Sequence, residues 1–305
     1  MSTFIQYLHS GREYKPSRSE IQNGLMEWHY QDIHRRKFLK SSGRYWTRGV
    51  EIADDLLFWG EWEPESHLTK IGTNWIHTPV LAKDGTGQLV APPLQANIGG
   101  IQQCRQFTDP YVFGDDGFLL SVCGQTANWQ TISMSHLERG DIIVFGSCLN
   151  KHFVVDTVFV IGDYVDYNTS QMIRDLSGFV PNVQEYVDLM IYGLSHKLNN
   201  RTAALRCYKG ATPSNPINGM FSFVPCKLRK GTYHHFNRPA LVNSDFVIRS
   251  IPFQKQNLIS HTLLSGYNIT NHLDQCEMKQ IWQRLYDVLI FSTGLCAGTH
   301  FSPVI

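Results

Sequence analysis

Short apolar runs separated by turn signals recur along the chain, and their lengths predict a mixture of strands and helices. Residues 3–10, TFIQYLHS, predict an opening strand that ends in a turn. The clearest β pattern is LERGDIIVFGSCLNKHFVVDTVFVIGD, at residues 137–163, where CLNK separates two apolar runs. That pattern predicts a hairpin deep inside a sheet or barrel. The expected fold class is therefore α+β.

Other segments follow the helical period. Residues 19–40 predict a helix that ends at residues 41–43, with Gly43 as its C-terminal cap. Residues 271–292 predict the most amphipathic helix, and residues 183–197 predict another. Shorter apolar pieces at 203–210, 219–228 and 245–253 predict strands. The apolar positions of the two main helix predictions are Ile21, Leu25, Trp28, Ile33 and Leu39 in the first and Ile281, Leu285, Val288 and Leu289 in the second.

A polar segment at residues 164–182 marks a candidate boundary near residue 170. Residues 1–170 would form a β-rich lobe with the binding pocket, and residues 171–305 an α+β lobe packed against it. A single domain is the alternative. The apolar tail from residue 292 is expected to pack back on the body.

Composition narrows the class of protein only slightly. The chain has 305 residues, and 42% of them are hydrophobic, which is enough for one large core or two smaller ones. The 27 basic and 26 acidic residues nearly cancel, so overall charge does not indicate nucleic acid, although local patches still can. Seven scattered cysteines without a CxxC pair, and no pattern of a signal peptide or membrane span, predict a cytoplasmic protein with reduced thiols. Since no glycine-rich nucleotide loop or HExxH motif occurs, we predict no cofactor and no metal.

The stretch FWGEWEPES, at residues 58–66, combines acid with aromatic surface on the end of an apolar run. If residues 58–63 are extended, Trp59, Glu61 and Glu63 point to one side and Phe58, Gly60 and Trp62 to the other. An indole beside carboxylates suits a sugar, a base or a cation, and neighbouring carboxylates are typical of general acid catalysis. The alternative is a surface strand with solvated glutamates and a tryptophan folded into the core.

The only basic cluster lies in HRRKFLKSSGRYWTR, at residues 34–48. At helical spacing Arg36, Lys37 and Lys40 share a face, and two aromatic residues follow directly. Basic and aromatic side chains together hold nucleotides or single-stranded nucleic acid, with phosphate on the cations and the base on a ring. The alternative is a solvated helix face paired with Asp54 and Asp55. The ligand-binding candidates in this cluster are His34, Arg35, Arg36 and Lys37.

Isolated residues add weaker signals. His9 and Glu13 flank the turn after the first strand, and Asp109 lies in a long irregular segment, which are places where binding residues gather. Asp156 stands in the middle of an apolar strand, where a carboxylate must meet a base, a ligand or backbone donors. Arg238 either clamps an anion or caps a loop.

The hairpin at residues 137–163 resembles the core hairpin of the PUA-like barrels, including the ASCH and EVE domains. There, a Gly-Asp turn leads into one strand, and a second strand carries a hydrophobic run. The motifs HSGREY, HRRKF and FWGEWEPES also resemble bacterial proteins linked to nucleotide modification. These resemblances imply a partly closed mixed β-barrel with flanking helices that reads RNA or modified bases in a cleft, with hydrolase activity in some members.

The sequence thus predicts recognition or processing of a nucleotide, or of a base in nucleic acid. Arg35, Arg36 and Lys37 would meet phosphate, and Trp59 or Trp62 would stack on the base. The catalytic candidates are Glu61, Glu63 and Asp156, of which Asp156 would orient a partner. Hydrolysis or transfer at a glycosidic or phosphoester bond suits such carboxylates. The alternatives are a non-catalytic reader with the same pocket and a glycan-directed protein.

Overall fold

The structure is a computed structural model. It describes residues 1–9, 25–26, 36–61, 66–71, 74–79, 110–114, 116–125, 133–149, 152–191, 204–228, 236–241, 247–251, 254–257 and 267–302. Strands dominate this part of the chain, and helices are few, so the predicted α+β class is confirmed. No described helix is both long enough and apolar enough to cross a membrane.

The strands in chain order are β1 (Ser2–Leu8), β2 (Leu25–Met26), β3 (Arg36–Thr47), β4 (Val50–Glu61), β5 (Ser66–Ile71), β6 (Asn74–Pro79), β7 (Leu119–Leu120), β8 (Ile142–Leu149), β9 (His152–Asn168), β10 (Ala204–Gly210), β11 (Val224–Leu228), β12 (Ala240–Leu241), β13 (Val247–Ile251), β14 (Gln254–Asn257), β15 (Tyr267–Leu273) and β16 (Cys296–Ser302). The α-helices are α1 (Met172–Leu176), α2 (Val183–Tyr186) and α3 (Gln275–Tyr286). Short π-helical segments, Val187–Ile191 and Asp287–Phe291, continue α2 and α3.

The first sheet has the order β15-β1-β8-β9-β10-β7, and β12 pairs with β9 beside this path. Strand β1 runs parallel to β8, and the other pairs are antiparallel. The predicted hairpin is confirmed as β8 and β9. Residues 142–147 and 153–162 are all buried, because elements cover both faces of the hairpin, which explains why its apolar runs are nearly continuous.

The second sheet has the order β16-β11-β4-β3-β6-β5-β2. Strand β16 also pairs with β3, so β3, β4, β11 and β16 hydrogen-bond to one another in a closed cycle. Strands β3 and β4 form a long hairpin whose turn at Arg48 and Gly49 has positive φ at both residues. That geometry is typical of a two-residue hairpin turn. A separate two-stranded sheet contains β13 and β14.

The helix predicted over residues 19–40 is wrong wherever the structure describes it, because residues 25–26 and 36–40 are in strands. Gly43 is not a helix cap either: it lies inside β3, opposite Asp54 on one side and Phe301 on the other. A Cβ at Gly43 would overlap the backbone oxygen of His300. Pairing on both edges therefore outweighs the helical spacing of the apolar residues, as tertiary context commonly does.

The C-terminal helix and tail agree better with the sequence. Helix α3 begins after Asp274, whose side chain accepts a hydrogen bond from the backbone N–H of Glu277, and the Glu277 carboxylate accepts one from the backbone N–H of Asp274. This capping box satisfies two donors that a helix start leaves open. Of the four apolar positions predicted to line one face, Ile281, Leu285 and Leu289 are buried and Val288 is half-buried. The predicted packing of the tail is confirmed by β16, which pairs with β3 and β11.

Two apolar cores lie against the sheets. One includes Leu39, Phe58 and Phe301 from the second sheet, and the other gathers around α3 with Trp282 and Phe223. Strands from before and after residue 170 take part in both seven-stranded sheets. The predicted helix at residues 183–197 is confirmed over its described part, residues 183–191.

Candidate functional site

A buried carboxylate binds two arginines where the two sheets meet. Asp156 of β9 accepts a hydrogen bond of 2.7 Å from Nε of Arg36, at the start of β3, and one of 2.8 Å from Nη1 of Arg238. Asp156 is 6% exposed, Arg36 2% and Arg238 3%. The contact with Arg36 joins the two sheets, and Arg238 reaches the same carboxylate from the segment before β12.

A β-bulge aims this carboxylate. Phe145 pairs with Thr157 and Gly146 with Val155, so Asp156 is the extra residue of β9 at that point. Bulges re-aim side chains and are common beside functional sites. Gly146 permits the bulge, since a Cβ there would overlap the backbone oxygen of Val154 and the ring of Phe153.

His9 extends the cluster from the end of β1. Its backbone N–H donates to the carbonyl of Gly146 at 2.8 Å, and its Nδ1 lies 2.6 Å from Nη2 of Arg36. A guanidinium can only donate, so Nδ1 accepts and the ring proton lies on Nε2. His9 also lies near Tyr7, with the two ring centroids 6.0 Å apart. The Tyr7 hydroxyl lies 3.2 Å from Sγ of Cys123.

Trp59 and Ser147 also lie beside Arg238. Nη1 of Arg238 also donates to the hydroxyl of Ser147 at 2.5 Å, and its guanidinium carbon lies 6.0 Å from the ring centroid of Trp59. The Trp59 indole N–H donates to the carbonyl of Phe236 at 2.9 Å, which fixes the ring. We call the set of His9, Arg36, Ser147, Asp156 and Arg238 the Asp156 cluster, and Trp59 forms a wall beside it.

The electrostatics of the cluster keep Asp156 ionised. Burial alone would raise the pKa of Asp156, but the charges of Arg238 and Arg36, and the hydrogen bonds they donate, outweigh it and lower that pKa. Two guanidinium groups thus share this one carboxylate through charge-assisted hydrogen bonds.

The structure brings four of the predicted site residues together: His9, Arg36, Trp59 and Asp156. The backbone of β4 is extended as predicted, and position 61 pairs with Arg36 in the β3–β4 register. Because directly opposed residues lie on the same face of a hairpin, positions 36, 59 and 61 share one face. The described parts of the two motifs therefore lie on the neighbouring strands β3 and β4.

Two expectations about the basic cluster are wrong. Arg36 and Lys37 do not share a helix face, because successive residues of β3 alternate between its two faces. The alternative of a solvated charged face also fails at Arg36, which is buried. The side chains of Lys37 and Glu61 are outside the described part of the structure. Candidates that lie wholly outside the described residues are Glu13, His34, Arg35, Trp62, Glu63 and Asp109.

Sequence reasoning missed the partners of Asp156. It identified a carboxylate that needed pairing and an arginine at 238 that suited an anion, but no local pattern connects them. Gly146 was the available signal, because an isolated glycine inside an apolar strand suggests a bulge. Among the described residues, no three His, Cys, Asp or Glu side chains are grouped so that they could hold a metal ion.

Comparison of the chain with protein-family models, with curated proteins and with solved structures finds no match. The resemblance to PUA-like barrels therefore stays a prediction.

Proposed function

We propose that the protein recognises a nucleotide, either free or as a base in nucleic acid, at the Asp156 cluster. One observation carries this proposal: Arg36, Trp59 and Asp156 come from three different strands, His9 follows directly after β1, and all four converge on one buried site that also contains Arg238. The sequence indicates Arg36 for phosphate, Trp59 for a base, Asp156 for orienting a partner, and His9 as a site residue at the end of a strand. Together they supply cations for phosphate and an aromatic ring for a base.

The phosphate-binding part of the proposal follows from the geometry of the two guanidinium groups. Asp156 holds Arg36 through Nε and Arg238 through Nη1, so each planar group has a fixed orientation before any ligand arrives. Fixed orientation reduces the conformational entropy that binding would otherwise cost. Arginine recognises phosphate with paired donors, which a lysine cannot reproduce.

The base-binding part of the proposal uses Trp59. The hydrogen bond to Phe236 fixes the indole beside Arg238, so ring and cation form adjoining surfaces of one site. Stacking of a base on an aromatic side chain contributes about 1–3 kcal/mol of binding free energy, whichever base it is. Trp59 is 5% exposed, so stacking of a base on this ring requires the residues that cover it to move aside.

Catalysis, if present, does not use Asp156 as a general acid. Its lowered pKa and two ion pairs keep it ionised near neutral pH, so its role is to position the arginines. Hydrolysis or transfer at a glycosidic or phosphoester bond would fall to Glu61 and Glu63. Position 61 is the register partner of Arg36, which supports this assignment. Without turnover, the same site defines a reader.

The finer fold assignment is also a proposal. A partly closed, PUA-like barrel is supported by the buried β8–β9 hairpin and by the closed cycle of β3, β4, β11 and β16.

A binding experiment tests the proposed function. Nucleoside monophosphates and short single-stranded DNA and RNA are titrated into the protein between 50 and 200 mM salt, by calorimetry or fluorescence anisotropy. We expect binding that weakens with salt and that decreases at least tenfold in Arg36→Lys, which keeps the charge but loses the planar fork. The matched control is Arg174→Lys, because the side chain of Arg174 is 72% exposed and pairs with Asp175 instead of Asp156. Absence of binding to every member of the panel would overturn the proposal.

A further inference from the structure

Two cysteines face each other across neighbouring strands of the second sheet. Cys226 of β11 is the register partner of Cys296 of β16. Both are thiols in this structure. The Sγ of Cys226 donates to the backbone carbonyl of Cys296 at 3.3 Å, so the sulfur points from β11 towards β16.

The backbone spacing suits a disulfide. Directly opposed residues of antiparallel strands have Cα atoms about 4.5 or 5.5 Å apart, depending on the type of pair. Both values lie within the range of about 4.4–6.8 Å that disulfides span. Their Cβ atoms lie on the same face of the sheet, because side chains of opposed residues do. Gly298, two residues beyond Cys296, would place a Cβ only 3.1 Å from Sγ of Cys226, so the absence of a side chain there leaves room for that sulfur.

We propose that Cys226 and Cys296 are an oxidation site, which a small-molecule disulfide of the glutathione type converts to a cross-strand disulfide. This inference is independent of nucleotide binding. The thiolate of Cys296 attacks one sulfur of the oxidant, its S–S bond breaks, and one small thiol leaves. The thiolate of Cys226 then attacks the sulfur of Cys296 and releases the second small thiol. Two protein thiols are oxidised, and one small disulfide is reduced to two thiols.

The two cysteines have different roles because their environments differ. Cys296 is half-buried, whereas Cys226 is fully buried, so the first attack on the oxidant is assigned to Cys296. Burial, and the nearby Cys296, raise the pKa of the Cys226 thiol well above its ordinary value. The second step is therefore slow at neutral pH and faster at alkaline pH, since only the thiolate attacks.

The disulfide would link two strands of the closed cycle covalently. Strand β11 joins β4 to β16, and β16 returns to β3, so a bond between β11 and β16 fastens two of the four members together. The bond would join two cysteines that lie 70 positions apart along the chain. Cross-linking restricts the unfolded chain, so we expect the oxidised protein to unfold at a higher urea concentration than the reduced protein.

The test uses the full chain incubated with glutathione disulfide at neutral pH and near pH 9, then blocked with an alkylating agent and mapped by mass spectrometry without reduction. We expect a peptide that joins Cys226 to Cys296, a loss of about 2 Da relative to the two thiols, and faster formation at the higher pH. Cys276 is exposed on α3 and provides an internal control, because it should carry glutathione without cross-linking.

Two variants make the outcome decisive. Cys226→Ser should stop at a mixed disulfide on Cys296, and Cys296→Ser should leave Cys226 unmodified in the folded protein. A mixed disulfide that persists on Cys296 of the wild type near pH 9, a bond from either cysteine to a different one, or reaction only in denaturant would each overturn the proposal. All three results are measured on the wild-type protein, so the test remains decisive even if a variant fails to fold.

Discussion

Asp156 accepts a 2.7 Å hydrogen bond from Nε of Arg36, and this contact joins a strand of the first sheet to a strand of the second. The residues lie 120 positions apart. Burying both ions is costly unless each is paired, and Arg238 supplies a second donor to the same carboxylate. The pairing therefore links the stability of the fold to the organisation of the proposed phosphate site.

Asp156→Asn should destabilise the protein by about 3–5 kcal/mol, because it leaves two buried guanidinium groups without their shared carboxylate. Urea unfolding at pH 7 measures this. The matched control is Asp166→Asn on the same strand, where the carboxylate is 68% exposed and pairs with Arg206 at 2.7 Å. An exposed pair is screened by water, so the control should change the free energy of unfolding far less. Equal effects at the two positions would refute the buried network.

The same pairing makes stability depend on acid. Because the folded-state pKa of Asp156 is lowered, its stabilisation is complete above the ordinary pKa of 3.8 and is lost as pH falls through the folded-state value. The difference in free energy of unfolding between wild type and Asp156→Asn should thus be constant near neutral pH and decrease below pH 3.8. Urea titrations at several pH values measure that difference, and a difference that grows on acidification would contradict this sign.

Asp141 should titrate in the opposite direction. Burial raises its pKa to about 6, even though the backbone N–H groups of Glu138 and Thr3 donate to it at 2.8 Å and favour the ionised form. For a raised carboxyl pKa, stabilisation is complete below the ordinary 3.8 and is lost as pH rises to about 6. Carboxyl-carbon NMR should therefore show a midpoint near 6 for Asp141. A midpoint at the ordinary 3.8 would contradict the raised pKa.

Gly146→Ala tests the bulge that aims Asp156. The added methyl group would meet the backbone of Val154 and the ring of Phe153, so we expect a loss of about 1–3 kcal/mol, as for other overpacked interiors. Gly49→Asn is the control, because the turn has open space and asparagine tolerates its positive φ. Urea unfolding compares the two. Unchanged stability in Gly146→Ala would show that the strand accommodates a side chain there.

Local patterns predicted some elements well and failed where distant strands decide the structure. The β8–β9 hairpin and helix α3 follow from their own periodicity and turn residues, and Asp156 was noticeable because a carboxylate interrupts an apolar run. Residues 36–40 instead follow the helical spacing of their neighbours, yet they pair with β4 and become β3. That pairing involves residues as far along the chain as position 61, whereas a helical pattern is recognised within a short stretch of neighbouring residues.

The candidate site shows the same limit. His9, Arg36, Trp59 and Asp156 were each selected separately, but their meeting point depends on pairings between β1 and β8 and between β3 and β4. Arg238 follows β9 by a long stretch of chain and reaches Asp156 only after β12 pairs with β9. Contacts of this kind come from tertiary structure, so the sequence contained the candidates without their arrangement.

Side-chain NMR of arginine tests the central claim most directly. The Nε–H signals of Arg36, Arg238 and Arg174 are followed while nucleoside monophosphates are added to the folded protein at low salt. The proposed function predicts that Arg36 and Arg238 shift together and saturate, whereas exposed Arg174 does not. Signals of Arg36 and Arg238 that stay fixed throughout the series, or that move no more than Arg174, would show that the Asp156 cluster is a structural brace between the sheets.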